Sequence, residues 1–99
     1  MTTADELRAA ARQARHDADA LRALAAGLDR SVIHDLTALA GDRTWVGPTA
    51  ARVEQAVRTA RHELDWAAAD LRREASLLDH EATDLERAAA RTQLAPVPP

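Results

Sequence analysis

Leucine and its small substitutes return every seven residues on both sides of one turn. Leu7, Ala14, Leu21 and Leu28 mark the first series, and Val57, Leu64, Leu71, Leu78 and Leu85 the second. A seven-residue apolar repeat lays a single stripe along an α-helix, and such a stripe is hidden from water only against another helix. The stretch between the series holds Gly41, Gly47 and Pro48, so the chain reads as a helix over about 4–40, a turn at 41–47 and a helix over about 48–92. The expected class is all-α: an antiparallel helix-turn-helix hairpin, with 1–94 as its one helical domain and 95–99 as a Pro-rich disordered tail.

Folding at the turn sets Leu28 opposite Leu64, Leu21 opposite Leu71, Ala14 opposite Leu78 and Leu7 opposite Leu85. The expected hairpin core is Leu7, Leu21, Leu28, Val57, Leu64, Leu71, Leu78 and Leu85, with Leu24 and Leu36 widening the stripe. In this register Glu74 and Glu81 fall at inner heptad positions beside Ala75 and Ala82, with Arg15 and Arg22 as candidate partners for Glu74. Local signals agree with the plan. Thr3-Ala4-Asp5-Glu6 has the form of a capping box, Gly41 suits a helix stop, and Pro48 suits a first helical position, where a missing amide costs nothing. Gly27 lies inside the first helix, where it costs up to about 1 kcal/mol relative to alanine.

Alanine supplies 25 of the 99 residues, and there is no Phe or Tyr. Each alanine buries little area, and a two-helix hairpin offers each helix only one neighbour, so a lone hairpin is expected to be marginal and to need a partner. The 13 basic residues, all arginine, and the 16 acidic ones are dispersed along both helices. Without a basic face, phosphate-backbone binding is not expected. The absence of cysteine excludes a disulfide framework, a thiolate nucleophile and thiolate-bound zinc. The opening Met1-Thr2-Thr3-Ala4-Asp5-Glu6 is not a signal peptide, and no apolar run approaches the roughly 20 residues that span a bilayer, so membrane insertion is not expected.

His16, His34, His62 and His80 form no pair at helical metal-ligand spacing and read as solvated, so no metal and no cofactor is expected. A two-helix hairpin also lacks the concave, partly dry site that paired carboxylates need for acid–base work, which makes the chain non-enzymatic in this reading. Trp66 lies off the leucine seam, on a side stripe shared with His62, Ala69, Arg73 and Leu77. Exposed tryptophans of this kind anchor protein interfaces, so Trp66 and Leu77 are the candidate interface residues.

Trp45-Val46-Gly47, placed in the turn of a helical hairpin of this length, resembles the WxG (Trp-x-Gly) family of small ESX or type VII secretion proteins. The resemblance covers nearly the whole chain. It implies pairing with itself or a related WxG-type hairpin, as a homo- or heterodimer forming a four-helix bundle, with a larger secreted effector and the secretion ATPase as further partners. It also implies a protein that is cytoplasmic before export and secreted without a cleaved signal peptide, either as a substrate or as the export partner of one. In the family the turn tryptophan lies beside a Tyr-x-x-x-Asp/Glu motif of the partner. Trp45 and Gly47 match residue by residue, and the nearest counterpart of the second motif is His80-Glu81-Ala82-Thr83-Asp84. His80 stands where the family has Tyr, so any export signal is expected to come from a partner. The alternative reading is a cytoplasmic helical adaptor or chaperone for a larger, toxin-like protein.

Overall fold

Thr3 opens the first helix reciprocally with Glu6. Its hydroxyl accepts the Glu6 N–H at 3.1 Å, and the Glu6 carboxylate accepts the Thr3 N–H at 3.4 Å. Two amides that the helix cannot satisfy are thereby bonded, and Asp5 and Glu6 complement the positive end of the helix dipole. A computed structural model describes residues 2–31, 35 and 47–94. It shows an all-α hairpin of two long helices, α1 (Ala4–Asp29) and α2 (Pro48–Leu94).

Helix α1 stops well before the expected boundary near residue 40. Its ladder closes with the Arg30 N–H on the Ala26 carbonyl at 3.2 Å and the Ser31 N–H on the Leu28 carbonyl at 3.1 Å, a tightened final turn. Gly27 sits in that turn, and Ser31 and the β-branched Val32 and Ile33 follow it in the sequence. All of these weaken helix propagation. Gly41, Leu36, Leu39 and the tail 95–99 lie outside the described residues.

Gly27 keeps a negative φ, and a Cβ built on it would meet nothing within 4 Å. Gly27→Ala is therefore expected to stabilise the protein by about 0.5–1 kcal/mol, because alanine loses less backbone freedom on folding. Thermal melting checks this. A lower transition temperature would mean that the last turn of α1 is not helical in solution.

Helix α2 begins where the sequence placed it. Gly47 takes φ 101°, a conformation that glycine alone adopts without strain, and its carbonyl accepts the Ala51 N–H at 3.2 Å. Pro48 then occupies the first helical position.

The buried core consists of alanine. Among the described residues Ala11, Ala14, Ala18, Ala25, Ala50, Ala68, Ala75, Ala82 and Ala89 are buried, and no large side chain is fully hidden. The eight expected core residues Leu7, Leu21, Leu28, Val57, Leu64, Leu71, Leu78 and Leu85 are all half-buried. Alanine at every seventh position lets two backbones approach closely, and the longer leucines then close over the flanks of the contact.

The chain divides into two compact units, one of Met1–Arg22 with Arg73–Pro99 and the other of Ala23–Arg72. In the first, Ala11, Ala14 and Ala82 form a cluster against which Leu78 and Leu85 pack. This corrects the expected layering. Ala75 and Ala82 are fully buried, and Glu74 and Glu81, placed inside by the sequence reading, are exposed. Arg15 and Arg22 accordingly find other partners than Glu74. Arg15 pairs with Glu86 and lies 3.7 Å from Asp79, Arg22 pairs with Asp79, and Arg8 donates to Gln93. Among the described residues of the second unit, Arg72 pairs with Asp29 in a rung of the same kind. Each exposed pair contributes only about 0–1 kcal/mol. The hydrogen bond that Arg22 donates to the Asp79 carboxylate raises the Arg22 pKa above its ordinary value, so Arg22 keeps its charge at any working pH.

Candidate protein-interaction site

Trp66 is held outward by its neighbours in α2. Leu64 and Ala68 lie two positions to either side and both turn inward, Ala68 completely. Two residues correspond to about 200° of helix rotation, so a side chain midway between two inward ones points away from the seam. Around this point the inward stripe runs Val57, Ala60, Leu64, Ala68, Leu71, and the consecutive steps of four at Ala60–Leu64–Ala68 break the alternation of three and four. Such a stutter locally unwinds a coiled-coil seam.

The indole is 75% exposed. It lines a shallow surface recess with Thr59, His62, Glu63, Ala67 and Asp70, all from the same helix in the second unit. The floor is apolar, from the indole and Ala67. Glu63, three residues before Trp66, and Asp70, four after it, bring carboxylates to the rim. An exposed aromatic of this size with polar neighbours has the make-up of an interface anchor.

Leu77, in the first unit, is 55% exposed, as the sequence placed it. Leu24, taken from the sequence as part of the buried stripe, is 59% exposed. Sequence reasoning did not single out Val53 and Leu94, which are also exposed. Leu94 stands one residue beyond the position four after Ala89 that would continue the inward stripe, whereas Val53, three after buried Ala50 and four before Val57, sits on the stripe itself and is exposed all the same.

The motif residues divide. Trp45 lies outside the described residues. Gly47 has a backbone reason to be glycine, its positive φ. His80 and Asp84 are exposed on α2, one helical turn apart. His16 and His62 are also exposed, His62 in the Trp66 recess, and His34 lies outside the described residues. Among the described residues, no group of three or more His, Asp or Glu is placed to hold a metal ion. No helix among them is long and apolar enough to cross a membrane. The chain matches no known family model, no curated protein and no solved structure.

Proposed function

We propose that this chain is a small, non-enzymatic helical hairpin that works by pairing, with itself or with a related hairpin, into an antiparallel four-helix bundle. In this reading it serves type VII secretion as a substrate or as the export partner of one. The observation that carries the pairing is the interior. Among the described residues it hides alanines and no complete large side chain, while Trp66 and Leu77 face outward. Burial of apolar area is the main driving force for both folding and association, and a hairpin that spends so little of it internally has most left for a partner. The secretion half of the reading rests on the WxG resemblance, and the glycine-demanding backbone at Gly47 gives the third motif residue a physical reason.

The test compares culture filtrate with cell pellet in a host that has an intact type VII apparatus. Native protein is expected in the filtrate when co-expressed with its genomic neighbours, and Trp45→Ala is expected to abolish or greatly reduce that export. Native protein confined to the pellet under those conditions would favour the second reading, a cytoplasmic helical adaptor for a larger partner. The presence of His80 where the family has Tyr favours that second reading.

A further inference from the structure

In the first unit the ion-pair rungs occupy one edge of the hairpin, and helix geometry says what stands on the other. Ala75 and Ala82 are fully buried. Four residues further on, about 40° past the inward direction, come Asp79 and Glu86, the acids of the rungs. In α1 the same step leads from buried Ala11 and Ala18 to Arg15 and Arg22. Because these residues meet, the four-residue steps of both helices open on one side. The three-residue steps, about 60° short of inward, therefore open on the opposite side. They lead from Ala75 and Ala82 to Leu78 and Leu85, and from Ala14 and Ala18 to Asp17 and Leu21. All three leucines are only half-buried. Glu74 and Glu81, each one residue before a buried alanine, lie on this side about 100° from inward and are exposed. Leu77, 55% exposed, stands between them.

This edge is a leucine strip with an acidic rim. Asp17 accepts the Gln13 side-chain amide at 2.9 Å, a neutral donor that leaves its charge in place. The described arginines of the unit lie on the rung edge or on the outer backs of the helices. Resting on the pairing reading above, we infer that this edge is covered by a helix of a different chain, one whose apolar stripe is flanked by arginine or lysine, and not by a second copy of this protein. Two-fold pairing of identical chains brings the same patch of each together. Here that would set acid against acid around the leucines, and like charges juxtaposed across an interface oppose association. A helix with basic flanks buries the same leucines and neutralises the rim, while the long stems of its arginines or lysines add apolar cover.

The experiment titrates the full-length protein into two dye-labelled helical peptides with the same leucine–alanine stripe, one flanked by arginines and the other by glutamates, and reads binding by fluorescence anisotropy. The arginine-flanked peptide is expected to bind more tightly by about tenfold or more. In Glu81→Arg the two affinities are expected to come within about threefold of each other. Glu54→Arg makes the same change of charge elsewhere on α2 and is expected to keep the preference. Equal affinities in the native protein would overturn the inference, as would a preference that survives Glu81→Arg. So would a preference that Glu54→Arg removes equally well, since net charge would then explain it. Sedimentation of the protein without peptide separates the two levels. Native protein that dimerises at micromolar concentration and binds neither peptide overturns the inference and leaves the pairing reading standing. A monomer that binds neither peptide removes both.

Discussion

Ala82→Leu is expected to destabilise this protein by about 1–3 kcal/mol, although it adds apolar volume to an interior that has little. Ala82 is fully buried and packs with Ala11 and Ala14, so the extra methyl groups have no room unless the helices move apart. At about 4–8 °C for each kcal/mol in a domain of this size, the shift is large on a thermal melt. The informative comparison is Leu78→Ala. Leu78 packs against the same cluster but is only half-buried, so its truncation removes partly solvated surface and is expected to cost less than the about 2–5 kcal/mol of a fully buried leucine. Adding bulk at Ala82 should therefore cost as much as, or more than, removing it at Leu78. The opposite ranking, with Leu78→Ala clearly worse and Ala82→Leu neutral, would show that the leucines carry the interior and that the helices are not closely approached.

Trp66→Ala is expected to weaken association by about 2 kcal/mol or more, roughly 30-fold in Kd, while leaving the helical content of the assembled form in place. The reasoning depends on exposure. Because the indole is 75% exposed in the hairpin, its removal takes little from the hairpin's own packing, so any large effect must come from a partner. Sedimentation over a dilution series measures the Kd, and far-ultraviolet circular dichroism confirms that the helices persist. Identical dissociation constants for the native and substituted proteins would remove Trp66 from the interface.

Features written into short stretches of sequence were legible in advance. The capping box at Thr3 and Glu6 and the start of α2 at Pro48 each depend on a few adjacent residues, and both formed as read. The outward direction of Trp66 followed from its offset to the leucine seam. The composition of the core was harder to read for a physical reason. A leucine heptad marks only one edge of a helix's buried stripe, and the other edge can run three or four residues further on. Counting three from Leu71 and Leu78 gives Glu74 and Glu81, whereas counting four gives Ala75 and Ala82, and the structure takes the second. The tell was the alanine series Ala68, Ala75, Ala82 and Ala89, which a search for large apolar residues passes over. The end of α1 was obscured differently. Gly27 is tolerated inside many helices, and it helps to end this one only together with the residues that follow it.

Where the seam repeats every seven residues, as from Ala68 to Ala89, it has no sense of absolute position: slide one helix past the other by seven, and alanines and leucines meet again. What could tell the two alignments apart is the place where the flanking charges change sign. Along α1 the rung residues are Arg8, Arg15 and Arg22, and then Asp29; their counterparts on α2 are Gln93, Glu86 and Asp79, and then Arg72. A slide of seven in one direction would bring Arg22 up to Arg72, and in the other Asp29 up to Asp79, like charges in either case. Individually these pairs hold almost nothing together. Their value lies in what the wrong alignment would have to tolerate, so the reversal at Asp29 and Arg72 works as a second positional mark beside the stutter of α2.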